Sequence, residues 1–221
     1  MQTEYPARPY FSINDTSSGL RNLWLNGPWK TEITSVISTE EISRIQITWD
    51  PRISVHAPKG SADVSFVELL PSLSGFLIYC SERVDLSPIA SLQKLSVLEI
   101  ECPKLAAPFP VTNMANLAYL HIVWHRHLAP LMALKNLTTL KIQNYPFENL
   151  VSLSHMKKLK VLEIIGSRKL LSLAGLAELP LLESLFVDRS PNLGDISAIQ
   201  TIPFRGDVTF ESCKLVTDMG F

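Results

Sequence analysis

An apolar motif of the form Leu-x-x-Leu-x-x-Leu-x-Ile recurs along this chain at a nearly constant spacing. Its third anchor position is occupied in turn by Phe76, Leu98, Leu120, Leu140, Leu162 and Leu185, at intervals of 22, 22, 20, 22 and 23 residues. Weaker copies occur at Leu23-Trp-Leu25, Ile45-Gln-Ile47 and Val208-Thr-Phe210. Self-similarity of this length indicates an array of stacked repeats, because one such unit cannot bury its own apolar face.

The alternation inside each copy predicts a β-strand. Leu98 and Ile100 are two residues apart and therefore lie on one face, while Glu99 and Glu101 lie on the other. Stacked copies give about nine parallel strands ~4.8 Å apart, which span roughly 40 Å. The returns are short and several contain proline, so we expect 3₁₀ or single helical turns there. Residues 28–42 are the exception and predict a helix with Ile33, Val36 and Ile37 on one face.

This pattern resembles the 22-residue class of leucine-rich repeats found in bacterial proteins, closely over about 66–213 and more weakly over 20–50. The resemblance implies a curved α/β solenoid, with a parallel β-sheet on the concave face and 3₁₀, short helical or irregular returns on the convex face. One position departs from the family pattern, which carries asparagine or cysteine three residues after the last strand anchor. That position here is occupied by Ser81, Pro103, His125, Tyr145, Ser167, Ser190 and Cys213.

The spacing also predicts the domain organisation. Residues 1–19 form an N-terminal extension or cap, and 20–221 form the repeat domain, with a C-terminal cap near 210–221. The interval from Ile45 to Phe76 is 31 residues, about nine more than one repeat. We expect the surplus in a protruding loop near 50–62, which is rich in Pro, Gly and Ser.

Composition narrows the class of protein. The chain has 20 basic and 21 acidic residues and a net charge of −1, so nothing indicates a nucleic-acid or anionic-membrane partner. It has no basic start with an apolar run like a secretory signal, and no stretch of ~18 apolar residues. Three cysteines are typical of a reducing compartment. We therefore expect a cytoplasmic, monomeric protein without cofactor.

Chemistry-bearing residues are few, and the repeat explains their placement. His121, His125 and His127 could suggest zinc, but the repeat puts them on different faces, so we expect no metal site. Cys80 and Cys102 occupy equivalent positions in neighbouring repeats, where either a disulfide or two free thiols would fit, and free thiols are favoured. No nucleophile elbow or phosphate loop occurs, which favours a non-enzymatic protein with no catalytic residues.

The concave strand face is the predicted binding surface. It combines several acids, one full base at Lys141 and apolar or aromatic side chains, a mixture typical of protein-binding surfaces. The candidate protein-binding residues are Trp24, Gln46, Tyr79, Glu99, Glu101, His121, Val123, Lys141, Glu163, Ile165, Phe186, Asp188 and Glu211.

Three functions fit these features. The favoured one is a protein-binding module for a basic protein ligand, and small repeat proteins of this type resemble bacterial immunity proteins that neutralise a nuclease-like toxin. The second is a scaffold or regulatory subunit of a larger assembly. The third is a metal-dependent hydrolase that would use His121, His125 and a carboxylate such as Glu99 or Glu101.

Overall fold

A computed structural model of the chain describes residues 9–15, 21–39, 42–201 and 207–217. The chain divides into two compact units, and the boundary between them lies between Asn116 and Leu117. The C-terminal residues 218–221 of the expected cap lie outside the described residues, as do residues 1–8 and 16–19 of the expected extension. The domain bounds inferred from the spacing remain a prediction.

The first unit contains seven strands: β1 (Phe11–Asp15), β2 (Arg21–Leu25), β3 (Ile42–Trp49), β4 (Ser61–Ala62), β5 (Gly75–Cys80), β6 (Arg83–Val84) and β7 (Val97–Glu101). Strands β2, β3, β5 and β7 pair in parallel in that order. Their anchors align, since Leu23 pairs with Ile45, Ile45 with Phe76, and Phe76 with Leu98. The repeat phase read from the sequence is therefore the strand register.

The second unit contains five strands: β8 (Tyr119–Val123), β9 (Thr139–Gln143), β10 (Val161–Ile165), β11 (Ser184–Asp188) and β12 (Asp207–Glu211). They pair in parallel in sequence order, with Leu120, Leu140, Leu162, Leu185 and Val208 in one row. The nine strands expected from the repeat are thus all present, four in the first unit and five in the second.

Burial follows the alternation of each strand. Leu98, Ile100, Leu140 and Ile142 are 0% exposed, whereas the residues between them are partly exposed. Each such Leu or Ile contributes roughly 1.5–3 kcal/mol on burial, so the anchor rows supply the main stabilisation of each unit.

Short 3₁₀ helices occur in five of the returns between strands, but not in the return at 103–113, which has three prolines. They span Ser65–Leu69 and Ser87–Ser91 in the first unit, and Arg126–Ala133, Val151–Leu153 and Leu176–Glu178 in the second. The predicted helix is also confirmed as α1 (Thr31–Thr39), with Ile33 and Ile37 buried and Val36 half-buried. Two four-residue helices, α2 (Ala198–Thr201) and α3 (Lys214–Thr217), occur near the C-terminus.

At the turns, a serine hydroxyl hydrogen-bonds the backbone groups that the family asparagine would otherwise bond. The Ser167 hydroxyl donates to the Tyr145 carbonyl at 2.9 Å and accepts from the Leu170 amide at 3.1 Å. It therefore bonds both the preceding repeat and its own turn. Before the strands, a ladder forms where the Ser96 and Thr138 hydroxyls each donate to a carbonyl one repeat earlier, at 3.1 Å.

Four successive turns of the second unit adopt the left-handed backbone conformation two residues after the last strand anchor. These are Asn144, Gly166, Arg189 and Ser212, with φ between 49° and 68°. The amides of the first three donate to the last strand residue of the next repeat at 2.8–2.9 Å. The Trp124 amide makes the same bond to the Gln143 carbonyl at 2.9 Å without a positive φ, so each of these four repeats is hydrogen-bonded to its successor at this position.

The N-terminal strand was not predicted by the repeat. β1 pairs antiparallel with β2, from Phe11 opposite Leu25 to Asp15 opposite Arg21. It therefore occupies the N-terminal side of β2, where a further repeat would otherwise pair. No repeat motif marks this segment, because an antiparallel partner does not need to share the phase of the array.

The 50–62 segment is anchored at its base as well as exposed. Ser54 is 2% exposed and its hydroxyl donates to the Asn26 carbonyl at 2.7 Å. The indole of buried Trp49, just before the segment, donates to the Gly27 carbonyl at 2.9 Å. By contrast Val55 is 79% exposed. The segment is thus a loop whose exposed residues stand on a fixed base, and not a wholly protruding one.

Candidate functional site

The strand face of the first unit, opposite its core, carries five of the candidate binding residues. Trp24, Gln46, Tyr79, Glu99 and Glu101 project from β2, β3, β5 and β7, and all are half-buried. The phenol of Tyr79 donates to the Glu99 carboxylate at 3.2 Å, across neighbouring strands. This bond fixes the side chains of Tyr79 and Glu99 relative to one another on the strand face.

Arg44 also lies on this face and was missed in the sequence analysis. It precedes the anchor Ile45 in β3 and pairs with Gly75 of β5. A methyl group at Gly75 would come within 2.7 Å of the Arg44 side-chain nitrogen Nε, so the arginine lies across the glycine. The repeat spacing alone could have placed Arg44 here, since it comes one residue before a strand anchor, as Ser184 and Asp207 do. The face is therefore less purely acidic than its carboxylates suggest.

A groove of about 420 Å³ opens where this strand face meets the 50–62 loop. The face contributes Gln46, Thr48, Tyr79 and Glu101, and the loop contributes Asp50, Arg52 and Ile53. Ile53 is 46% exposed. The groove thus combines hydrogen-bonding groups and a carboxylate with an exposed aliphatic side chain, which is the composition of a recognition site for a protein segment.

An internal ion pair fixes the wall of the groove. The Arg52 guanidinium donates to both carboxylate oxygens of Asp50, with the shortest distance 2.6 Å from Nη2 to Oδ2. The Arg52 amide also donates to Asp50 at 2.9 Å. The side-chain hydrogen bond from Arg52 lowers the pKa of the Asp50 carboxyl, so the pair stays charged at neutral pH. The Arg52 side chain is 85% exposed, so a ligand can reach it.

The strand face of the second unit carries the other eight candidate residues, and its charges are partly paired. Lys141 and Glu163 lie on neighbouring strands with Nζ 2.8 Å from Oε1. Asp188 accepts from Nε of Arg189 at 2.8 Å. Glu211 and Asp207 are exposed on β12. The acidic surplus of this face therefore lies at its C-terminal strand. Its remaining members, all half-buried, are His121, Val123, Ile165 and Phe186.

Of the three clustered histidines, His121 lies apart on the strand face, whereas the rings of His125 and His127 meet edge-on at 4.9 Å between centroids. His121 projects from the strand face, where its Nε2 lies 3.4 Å from Nε2 of Gln143. His125 caps the 3₁₀ return, its Nδ1 accepting from the His127 amide at 3.2 Å. Burial, reinforced by the nearby charges of His127 and Arg126, lowers the pKa of His125. Among the described residues, no three His, Cys, Asp or Glu side chains are grouped to hold a metal ion.

The cysteines are buried free thiols. Sγ of Cys80 donates to the Glu82 carbonyl at 3.6 Å, and Sγ of Cys102 contacts the Ile78 carbonyl at 3.9 Å. Burial raises the pKa of both thiols, which makes them poor nucleophiles. Their role is packing at the strand ends.

Most strongly exposed apolar side chains lie away from the strand faces. Val55 and Ile53 belong to the loop of the first unit, and Phe147, 38% exposed, belongs to a turn of the second. Some apolar residues that were predicted to be exposed, such as Trp24 and Phe186, are instead half-buried. Side-chain packing between neighbouring strands covers part of each, which the repeat pattern does not reveal.

No helix in the described part of the chain combines the length and apolarity needed to cross a membrane. This fits the absence of long apolar runs in the sequence.

Comparisons with known proteins give fold relatives only. No protein-family model matches the chain, and no curated protein matches it in sequence. Among solved structures, internalin C2 from Listeria monocytogenes aligns at a TM-score of 0.52 with 21% identity, covering 75% of this chain and 80% of that one. Another Listeria monocytogenes internalin, inlF, gives 0.45 and 17% identity, over 89% of this chain and 64% of that one. The plant peptide hormone receptor RGFR1 in complex with RGF2 gives 0.40 and 13%, over 90% and 41%.

Internalin C2 is a leucine-rich-repeat protein and shares with this chain the strand-and-return repeat described above. The chain therefore has the leucine-rich-repeat fold, as its 22-residue spacing predicted.

Proposed function

We propose that this chain is a non-enzymatic protein-binding module. The observation that carries the proposal is the groove of the first unit, because it unites the strand face with the 50–62 loop. Gln46, Tyr79 and Glu101 line one side and Ile53 the other. A rigid polar wall with an exposed aliphatic neighbour fits an extended segment of a partner protein, with the apolar contacts giving affinity and the polar ones orientation.

The charges favour a basic partner. Glu101 lines the groove, and the second unit adds exposed Asp207 and Glu211 on β12. We expect the partner's lysines or arginines to act on Glu101 because it lines the groove, and on Asp207 and Glu211 because both are exposed. Such charges raise the association rate more than the affinity.

A more specific role is that of an immunity protein that neutralises a basic, nuclease-like toxin. Its support is the resemblance of the repeats to the 22-residue bacterial class, together with the acids just named. In this role the chain would act in the cytoplasm as a monomer and occlude the toxin by binding alone. The test is growth: the partner produced alone should arrest its host, and co-production of this chain should restore growth.

The groove can be tested with three versions of the chain used as bait. The groove variant combines Ile53→Asp with Tyr79→Ser, which removes the aliphatic and aromatic contacts. The matched control is Leu181→Asp, which changes a similarly exposed aliphatic residue, 51% exposed, in the second unit. All three are first compared by thermal unfolding to show that they are folded.

We expect a protein that binds stoichiometrically to the wild type and to Leu181→Asp, and at least tenfold more weakly to the groove variant, since hot-spot contacts are worth ~2 kcal/mol or more each. Equal binding to all three would show that the groove is not the site. A turnover of substrate by the purified chain would contradict the non-enzymatic proposal.

A further inference from the structure

The second unit has a basic edge, formed by the turns that follow its five strands. We define the turn edge as residues 124–127, 144–149, 166–169, 189–192 and 212–214. It carries five full positive charges, at Arg126, Arg168, Lys169, Arg189 and Lys214, against one negative charge, at Glu148. All five basic residues are exposed. In a chain with a net charge of −1, this is a local surplus of the opposite sign.

The turn edge contains a cavity of about 440 Å³. Its lining comes entirely from turns of four successive repeats: Asn144, Gly166, Arg168, Arg189, Pro191 and Ser212. Four of these six residues adopt the left-handed backbone conformation described above, namely Asn144, Gly166, Arg189 and Ser212. The cavity is thus built by the repeat itself, and its two arginines lie in consecutive turns.

The arginines are presented on fixed backbone but keep donors available. The Arg168 carbonyl accepts from Nδ2 of Asn192 at 2.7 Å, which ties its turn to the next one. The Arg189 amide donates to the Glu211 carbonyl at 2.9 Å. Arg189 uses Nε for Asp188, yet its side chain is 66% exposed. Guanidinium groups held this way can bind a carboxylate with two parallel hydrogen bonds.

An aromatic group lies at the same edge, in the two repeats that come before Arg168. Phe147 meets Trp124 edge-on at 6.0 Å between ring centroids and Tyr145 at 5.4 Å. The position of Tyr145 is fixed, because its buried hydroxyl donates to the Asn149 carbonyl at 2.8 Å. Burial raises the pKa of Tyr145 to about 12, so the hydroxyl remains a donor. Phe147 therefore presents a supported, 38% exposed ring.

We propose that the turn edge of the second unit is an interaction surface for an acidic peptide segment of a protein partner. Carboxylates of the segment bind Arg168 and Arg189 in the cavity, and an apolar side chain of the segment packs on Phe147. Charge complementarity selects such a segment over a basic one. A nucleic acid carries charge of the same sign and is therefore the competing ligand in the test below.

This surface is distinct from the groove of the first unit and does not depend on the proposed function. Both could serve one partner that carries basic and acidic segments, or each could act alone. Variants in the two places separate them, since the groove variant changes Ile53 and Tyr79 while the edge variant changes only Arg168 and Arg189.

The test is direct binding of a fluorescein-labelled peptide of alternating glutamate and leucine to the full chain, measured by fluorescence anisotropy. The control ligands are the same peptide with glutamine in place of glutamate, and a single-stranded DNA of equal charge. The edge variant is Arg168→Ala with Arg189→Ala. The control variant is Lys94→Ala with Lys135→Ala, which removes the same charge from two exposed lysines outside the edge. Phe147→Ala tests the aromatic contact.

We expect the acidic peptide to bind the wild type and the lysine variant within about twofold of each other. The edge variant should bind it about 10- to 100-fold more weakly, a loss of roughly 1.4–2.8 kcal/mol for the two exposed guanidinium groups together. Phe147→Ala should weaken it several-fold, and the glutamine peptide should bind far more weakly. An equal loss of peptide affinity in the edge variant and the lysine variant would show that the effect comes from net charge alone, and would overturn the proposal. Tighter binding of the DNA than of the peptide, lost in the edge variant, would also overturn it by assigning the surface to nucleic acid.

Discussion

The Ser54 hydroxyl donates a 2.7 Å hydrogen bond to the Asn26 carbonyl, joining residues 28 apart in sequence. The same oxygen accepts from the His56 amide at 3.2 Å. One small side chain therefore fixes the loop to the end of β2 and closes the turn that follows. The position of Ile53 at the groove depends on this bond, because Ile53 is the adjacent residue.

Ser54→Ala should loosen the loop and lower the free energy of unfolding by about 1–3 kcal/mol, since it leaves a buried carbonyl without its partner. Urea unfolding and the rate of proteolytic cleavage within 50–62 measure the two effects. Ser61→Ala, at an exposed serine of the same segment, is the control and should change neither. Equal effects of the two substitutions would show that the bond does not anchor the loop.

Three glycine-to-alanine substitutions in the second unit should form a graded series. Gly175→Ala should be the most damaging, at roughly 3 kcal/mol or more, because φ is 97° and the new methyl group would lie 2.6 Å from the Val151 amide nitrogen. Gly166→Ala should cost about 1 kcal/mol, since φ is 68° but the nearest atom is 3.4 Å away. Gly194→Ala should be nearly neutral, because its φ is not positive and its nearest contact is 3.5 Å. Chemical denaturation gives the order, and a Gly194 variant as unstable as the Gly175 one would refute the steric explanation.

The stability of the chain should fall as the pH drops below about 6.5, in part through His125. Its pKa is lower in the folded state than the usual 6.5, so the unfolded chain binds the proton more readily. Stability is therefore full above pH 6.5, declines between 6.5 and the folded pKa, and levels off below it. His125→Asn keeps an acceptor for the His127 amide but cannot titrate. Thermal unfolding from pH 5 to 8 should show a shallower decline in this variant, and an unchanged slope would assign the effect to other groups.

The Lys141–Glu163 pair should couple more strongly than a pair in the returns. Both side chains are about a quarter to a third exposed, at 31% and 24%, and Nζ lies 2.8 Å from Oε1. A double-mutant cycle to alanine should give about 0.5–1 kcal/mol. The comparison is Lys157–Glu178, of similar length at 2.9 Å but 53% and 61% exposed, for which we expect a few tenths of a kcal/mol. A larger coupling for the exposed pair would contradict this dependence on burial.

The repeat predicts the strands and their register because a parallel ladder requires equivalent residues to face one another. Phe76, Leu98 and Leu140 could be placed from spacing alone for this reason. The same repeat spacing also places Arg44 on the strand face, because it comes one residue before the anchor Ile45. The prolines of the returns predicted short 3₁₀ helices correctly in five returns, but wrongly at 103–113, where the chain has three prolines and no helix.

Other features depend on long-range contacts that no local pattern encodes. β1 pairs antiparallel and does not share the repeat phase. The anchoring of Ser54 to Asn26 requires the folded positions of both. The turn-edge cavity was not predicted either, because its residues, such as Arg168 and Arg189, have no common motif and meet only through stacking of the turns.

The 31-residue interval between Ile45 and Phe76 leaves the pairing of β3 with β5 unchanged, from Arg44 opposite Gly75 to Trp49 opposite Cys80. Chain length between these strands is thus independent of the order and alignment of the array. Gly60 lies at the middle of this interval, where an added side chain would meet no atom within 4 Å. The chain around Gly60, between the anchored Ser54 and β4, is therefore a natural point for variation: residues can be inserted or exchanged there for a foreign epitope while the repeats on either side keep their structure.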